Sequence, residues 1–454
     1  MKKLVFLFSL FVGVIANAQI LDYNDFGILL TSENKLGTAR TMAMKNAFGA
    51  LGGDLSAINI NPAGAAVFSQ SAAAFTLGNN KTDIQSIFYG TNTSQINKHT
   101  SLSQAGGVLL FFNDDEEDYS NWKKVSVAIN MNTLHDFDGS WVAKGLTSST
   151  WTNETIQYNT VDSQKYSNFK EGSLTNVNFA LAAQYGNSLY LGASFNAYDV
   201  EYIEDSKREE KANDGLGNSI DAFESFWQEV KGEGFSFSGG LIFKPIQNLR
   251  LGLSYTTPVW YEMTEESNMF SEDEDDVFGY YDIIYSDDDN IYSNNIDKIQ
   301  TYDYEIRTPS KTTGSIAYIF GDKGLISADL TAKNYKGIHF GNGDIFDVEN
   351  KYFNDHLTNT FKVNLGTEWR FKKISLRGGY SYEQTPYVDA IETDDIRGYA
   401  LGLGYDFGNF TVDLAYDYKE NTDFYNFYPD ITGVNGAELT KNNKKLLATV
   451  SFKF

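Results

Sequence analysis

The residues that could do chemistry here are few and scattered. His99, His135, His339 and His356 are the only histidines. Together they could ligate a metal or a haem, but no pair falls at the spacing that brings ligands together, so scattered surface positions are expected and no cofactor or metal. There is no phosphate-cradling loop, no nucleophile elbow and no HExxH helix. The stretch from Glu265 to Asp297 carries Glu272 to Asp276 and Asp287 to Asp289 without Lys or Arg. It could bind divalent cations near lipopolysaccharide, but it lacks calcium-loop spacing and reads better as a solvated, self-repelling loop (264–301). In segment 208–231, Ile220, Phe223, Phe226, Trp227 and Val230 recur at helical spacing, with Asp221, Glu224, Gln228 and Glu229 around the turn. The spacing predicts a short amphipathic helix whose apolar stripe either pins a loop or lines a groove for an apolar ligand.

The elements that would position such a groove are strands. The chain has 454 residues, 33 Phe, 29 Tyr, 39 Gly, 6 Pro and no Cys, with a formal charge of −24. The acidity argues against a nucleic-acid partner, and the lack of cysteine excludes disulfides and thiolate chemistry. Residues 1–18 read as a secretory signal: Lys2 and Lys3, an apolar run Leu4 to Ile15, then Ala16-Asn17-Ala18 before Gln19. Past it, no stretch approaches a membrane-spanning helix.

From about residue 71 the sequence alternates with period 2. Phe410, Val412, Leu414, Tyr416 and Tyr418 share one face, with Thr411, Asp413, Ala415, Asp417 and Lys419 on the other. In 358–371 the apolar face is Phe361, Val363, Leu365, Trp369 and Phe371. Fourteen such strands are expected, near 71–82, 101–113, 122–134, 173–185, 188–203, 233–245, 248–263, 302–320, 324–340, 358–371, 374–386, 395–407, 409–419 and 442–454. Connections alternate: Gly186-Asn187, Ile246-Gln247, Gly321 to Lys323, Lys372-Lys373 and Gly408 are short, with 114–121 the single longer case, while 83–100, 135–172, 204–232, 264–301, 341–357, 387–394 and 420–441 are mostly long and polar. Short turns on one side and long loops on the other predict an all-β, antiparallel transmembrane barrel over 71–454, multi-pass in a bacterial outer membrane. A closed barrel pairs its backbone between strands, so only alternate residues need be apolar. Tyr185, Tyr255, Tyr318, Tyr380, Tyr382 and Tyr405 are candidates for interfacial girdles. The paired Gly402 and Gly404 suggest close backbone approach or luminal space. The last strand carries Leu446, Ala448, Val450, Phe452 and Phe454 on one face; ending on an aromatic, it resembles the signal read by the barrel assembly machinery.

Between signal and barrel, Gly37 to Gly64 is rich in small residues, contains Gly52-Gly53-Asp54 and ends in Asn61-Pro62-Ala63-Gly64. This segment resembles the FadL/TodX family of outer-membrane transporters of long-chain fatty acids and other hydrophobic compounds. Thr257-Pro258 and Thr308-Pro309 also stand in family-like positions, so the resemblance extends over the whole chain. It implies that residues 19–70 form a hatch inside the lumen. It further implies that outer loops capture a hydrophobic small molecule, and that hatch movement opens a route thought to leave sideways at a kinked third strand. Here the third strand, Lys124 to Leu134, has neither Gly nor Pro, so no kink is legible. The resemblance implies a transporter rather than an enzyme, in contact with outer-membrane lipid and lipopolysaccharide and acting as a monomer. The alternatives are a structural or adhesive surface barrel and, behind it, an outer-membrane hydrolase. A 22-stranded haem or siderophore receptor does not fit the length.

Overall fold

A computed structural model describes residues 23–32, 36–112, 121–147, 151–152, 157–268, 282–287, 290–294, 299–341, 343–390, 394–425 and 436–454. The signal segment and most of the acidic stretch lie outside the described residues.

The alternating segments form a closed antiparallel barrel of 14 strands. The wall opens with β1 (Ala72–Phe88), β2 (Thr91–Phe112) and β3 (Trp122–Asp136). Beyond β3 lie the outer strands β4 (Gly139–Gly145), β5 (Trp151–Thr152) and β6 (Gln157–Tyr158), and the wall resumes with β7 (Thr160–Tyr185), β8 (Leu189–Asn213) and β9 (Ser219–Ile246). The seventh wall strand is split into β10 (Leu249–Thr256) and β11 (Trp260–Ser267), and an outer hairpin, β12 (Asp282–Asp287) and β13 (Asn290–Asn294), pairs with β9. The eighth is split into β14 (Gln300–Arg307) and β15 (Lys311–Ile319), and the ninth into β16 (Gly324–Asn334) and β17 (His339–Gly341). The remaining strands are β18 (Asn359–Phe371), β19 (Ile374–Glu383), β20 (Ile396–Asp406), β21 (Phe410–Tyr425) and β22 (Ala437–Lys453). β22 pairs back onto β1, Phe452 opposite Ala73, which closes the ring.

The faces follow the period-2 reading. Leu414 is 50% exposed and its neighbours Asp413 and Ala415 are buried inward; Trp369 and Leu365 face out while Glu368 is sealed inside. Tyr185, Tyr255, Tyr318, Tyr380 and Tyr405 are exposed on the outer wall. An outer surface of Leu, Ile, Phe and Tyr over a polar interior is that of a barrel standing in lipid. Its upper boundary is sharp beside β11. Phe235 and Trp260 lie with ring centres 5.4 Å apart and planes tilted by 32° on the outer wall. Two residues further out, Asp199, Glu233, Glu262 and Glu305 lie directly opposite one another across four strands, all exposed.

The short turns close where expected, with Gly186, Gly321, Lys372 and Gly408 at positive φ. The other side differs from expectation. Segment 83–100 is a continuation of the β1–β2 ladder to Phe88↔Thr91, and 204–232 continues β8 and β9 to Asn213↔Ser219. The amphipathic helix predicted over 208–231 is therefore a strand hairpin. Its turn is set by Gly215 and Gly217 at φ 73° and 114° and by Asp214, whose carboxylate accepts from the N–H groups of Leu216 and Asn218. On a strand the five apolar residues divide: Ile220, Phe226 and Val230 are buried on one face, Phe223 and Trp227 half-buried on the other. The continuous ladder from β8 satisfies the backbone that a lone helix would have to satisfy by itself, and it overrides the helical spacing. A helix does form elsewhere, α3 (Asp347–His356), beyond β17.

The short turns and the long hairpins must lie on opposite sides of the membrane. A cysteine placed at Asn213 should react with a membrane-impermeant maleimide in intact cells, whereas one at Asn187 should react only after the outer membrane is breached. Labelling at Asn187 in intact cells would overturn the polarity.

Candidate functional site

The lumen is filled by the chain's own N-terminal segment. It comprises α1 (Tyr23–Thr31), α2 (Ala39–Ala43) and two 3-10 turns, Ser56–Asn59 and Pro62–Val67. Thr38 caps α2, and its hydroxyl donates to Asp54 at 2.8 Å. Asp54 also accepts from Ser56 N at 3.1 Å; burial pushes its carboxyl above the ordinary range, against the pull of Arg40 and these hydrogen bonds. Gly52 and Gly53, at φ 60° and 65°, turn the chain so that Gly53 N meets Gly64 O at 3.1 Å.

Asn61 ties this segment to the wall. Its amide donates to Gly49 O at 2.7 Å and to Leu241 O of β9 at 3.0 Å, and its oxygen accepts from Ala63 N at 3.1 Å. Pro62 starts the following turn, where a missing N–H costs nothing. The approach is possible because the wall has no side chains there: a β-carbon on Gly240 would lie 2.1 Å from Asn61 Oδ1, and one on Gly192 2.4 Å from Ala63 N. Gly402 plays the expected part against Ala43, where an added β-carbon would stand at 2.4 Å.

The two halves of the wall hold the hatch differently. On β18 to β21 the contacts are ionic: Arg40 with Glu368 at 2.8 Å and Lys45 with Asp417 at 2.6 Å, with Arg377 of the wall holding Glu368 and Asp413 at 2.6 Å each. Burial lowers the Lys45 pKa, and Asp417 opposes the shift. On β3 and β10 the contacts are hydrogen bonds to hatch carbonyls without an acidic partner: Asn130 donates to Leu55 O at 3.1 Å, Ser254 to Ile60 O at 2.7 Å, Arg250 to Leu51 O at 2.6 Å and Lys124 to Phe68 O.

Above the hatch the lumen turns apolar. Phe26 and Leu30 of α1 are buried among Tyr202, Val230, Tyr261, Tyr304, Phe340 and their neighbours. Tyr23 meets Phe346 and Tyr304 edge-on at 5.1 and 5.7 Å, and Phe26 lies 5.6 Å from Tyr202. Gly27 lets α1 press against Ile338 and Phe340, where a β-carbon would come within 3.0 and 3.1 Å. At its end, Thr31 O accepts from Lys333 Nζ at 2.8 Å. Of the five groove candidates only Val230 belongs to this chamber. Its other residues were missed because they come one or two at a time from many strands. The signal available was aromatic residues at inward positions, such as Tyr202, Tyr261 and Tyr304, where the lumen is otherwise polar.

β2 and β3 pair only from Phe112↔Lys124 to Gln104↔Asn132 and then part. β3 has a bulge between Thr133 and His135. The N-terminal segment covers the vacated edge: Leu36 N donates to Thr133 O at 2.9 Å, and Ser32 Oγ shares a hydrogen bond with His135 Nε2 at 2.9 Å. The other histidines have separate surroundings, His99 against Asp138 at 2.6 Å and His356 stacked on Tyr352. Among the described residues no three His, Asp or Glu side chains are placed to hold one metal ion. Phe452 is exposed on the outer wall, and Phe454 N donates to Ser71 O at 3.0 Å.

No protein-family model and no curated protein matches the sequence. Solved structures do match. A Pseudomonas aeruginosa FadL homologue superposes with a TM-score of 0.57 at 14% identity, covering 92% of this chain and 98% of that one. The fold is that of the FadL and TodX barrels. The CymD monoaromatic hydrocarbon channel gives 0.55 at 11% identity over 93% and 99% of the two chains, and a TodX deltaS2S3 mutant monoaromatic hydrocarbon channel 0.53 at 14% over 93% and 100%. In this FadL/TodX-type fold Asn61 is the residue whose loss should tell most about hatch seating. Asn61→Ala removes three hydrogen bonds, to Gly49 O, Leu241 O and Ala63 N, at about 0.5 to 1.5 kcal/mol each. Frequent open events in planar bilayers, in a barrel that remains heat-modifiable on gels, are the expected outcome.

Proposed function

We propose that the protein carries hydrophobic small molecules across the outer membrane, with acid-headed amphiphiles such as fatty acids ahead of neutral hydrocarbons. The observation that carries this reading is the apolar chamber seated on a hatch that fills the lumen. An aqueous pore has no use for buried aromatics at its mouth, and a purely structural barrel has no use for a plug seated on wall glycines. The neighbours named as monoaromatic hydrocarbon channels support the same class of cargo. The exported signal, residues 1–18, and the lipid-facing wall agree with an outer-membrane site.

The chamber's present occupant indicates what it would accept. α1 presents Phe26 and Leu30 to the aromatics, while its last carbonyls, which carry partial negative charge, meet Lys333. A ligand that displaces α1 would find an apolar cavity with a lysine at one end, the complement of a fatty acid. Release then follows hatch movement, and the parting of β2 from β3 supports an exit through the wall at that point. Phe223 and Trp227, on the other face of the β9 hairpin, would act earlier, as a capture surface outside.

Deleting residues 19–64 should raise single-channel conductance sharply; an unchanged, closed barrel would remove the hatch role. Lys333→Met should weaken fatty-acid binding by about ten- to a hundredfold, the loss of a charged hydrogen bond of about 1.5 to 3 kcal/mol, and leave binding of the methyl ester unchanged. Equal affinity of the wild type for acid and ester would discard the head-group site, and binding of neither would discard the transport reading.

A further inference from the structure

Three neighbouring wall strands lose their ladder at one level. β10 and β11 are interrupted at Thr257-Pro258-Val259, β14 and β15 at Thr308-Pro309-Ser310, and β16 and β17 by the 3-10 turn Tyr335–Gly337. Both prolines lack the N–H that a ladder needs. Wall closure passes instead to two threonines. Thr257 N donates to Phe237 O at 2.9 Å and its hydroxyl accepts from Phe237 N at 3.0 Å. Thr308 does the same toward Val259, its N–H donating to Val259 O at 3.0 Å and its hydroxyl accepting from Val259 N at 3.2 Å. Beyond the break, β17 pairs with β14 and, among the described residues, with no other strand.

What lies on either side of this line gives it meaning. β10 reaches the seam after eight residues, which at the strand rise and tilt of such barrels is about 20 Å of height, near the top of the apolar band. Outside, the exposed Trp260 and Phe235 face lipid immediately beside it, and the acidic row begins two residues higher. Inside, a cavity of about 50 Å³ touches Thr257, Val259, Thr308 and Pro309 on the wall and Leu30 and Thr31 at the foot of α1. The wall between the outer leaflet and the chamber is thus one broken strand layer, sealed by two backbone and two hydroxyl hydrogen bonds and backed by empty volume.

We infer that this seam is a lateral entry portal, through which apolar molecules already dissolved in the outer leaflet reach the chamber without passing through the external hairpins. The inference rests on the transport reading, and it is separate from the β2–β3 parting, which involves other strands. Entry from lipid suits a cargo whose concentration in the leaflet far exceeds that in water. Opening requires that the four hydrogen bonds of the two threonines separate, two of them backbone to backbone, while the prolines add no N–H to hold the wall.

The chain has no native cysteine, so the seam can be locked cleanly. The wild type, a Val259→Cys/Thr308→Cys pair and, for comparison, a Ser103→Cys/Thr133→Cys pair across the β2–β3 parting are placed in lipid vesicles with a pyrene-labelled fatty acid dissolved in the bilayer. The rate at which the probe enters the protein is followed by stopped-flow fluorescence. Oxidising the seam pair should slow entry at least about tenfold, with recovery on reduction and unchanged equilibrium affinity, while oxidising the β2–β3 pair leaves entry unaffected. Entry at the wild-type rate through a seam shown by thiol titration to be oxidised would overturn the portal. A Thr257→Val/Thr308→Val double variant reads the same wall without a disulfide: faster entry is expected, and an unchanged rate would also overturn the portal. If the wild type binds no probe from bilayer or water, the transport reading fails first and the portal with it.

Discussion

A wall in contact with lipid must pair every backbone N–H and C=O within itself, because hydrocarbon offers no partner and each orphan group costs several kcal/mol. The ring of strands closed by β1 and β22 meets this requirement almost everywhere. The exceptions are therefore informative. Where β2 leaves β3, the N-terminal segment supplies the missing donor through Leu36 N. Where the prolines interrupt β10 to β15, Thr257 and Thr308 take over, their N–H groups donating and their hydroxyls accepting. Each departure from the ladder is covered by something that can be withdrawn without unfolding a strand.

The same requirement explains how the interior is divided. With the wall's backbone already paired, inward side chains are free to be charged, absent or aromatic according to height. Glycines at the level of Asn61 let backbone touch backbone, and Arg40 and Lys45 reach buried carboxylates on β18 and β21. The hatch's ion pairs stand on one half of the ring and its hydrogen bonds from Asn130, Ser254 and Arg250 to its own carbonyls on the other. Breaking a buried ion pair leaves an unpaired charge, at about 3 to 5 kcal/mol, whereas a hydrogen bond to a carbonyl is worth about 1 kcal/mol, or about 1.5 to 3 kcal/mol when its donor is charged. The hatch is thus better hinged on the ion-pair half and freer on the other, the half that contains the β2–β3 parting.

Much of this was legible in the sequence, for a definite reason. Within the membrane one face of each strand meets lipid and the other does not, so Phe361, Leu365 and Trp369 alternate with Asn364 and Glu368 and the strands announce themselves. Above the membrane the outward face meets water and much of the buried inward face is polar too, as at Ser86, Glu204, Ser206 and Glu210, so apolar alternation fades and the outer halves of β1, β2, β8 and β9 read as polar loops. The error at 208–231 arose there: Ile220, Phe223, Phe226, Trp227 and Val230 fit a helix as well as a strand once the polar residues between them stop carrying a phase. Asn61-Pro62-Ala63 was legible because each residue type does something local, capping, starting a turn or packing tightly. The chamber was not, since Tyr202, Tyr304 and Phe340 become neighbours only when distant strands are brought round the ring.

The row of Asp199, Glu233, Glu262 and Glu305 has a mechanical consequence. Like charges set directly opposite one another across a ladder repel, and only full hydration makes the arrangement tolerable. If the barrel sank by the height of a single residue pair, about 5 Å, it would draw all four carboxylates toward hydrocarbon at once. If it rose by as much, it would lift Trp260 and Phe235 out of the lipid. The two layers together act as a waterline that fixes the draught of this side of the barrel, and so hold the broken strands beneath them at a constant depth in the leaflet.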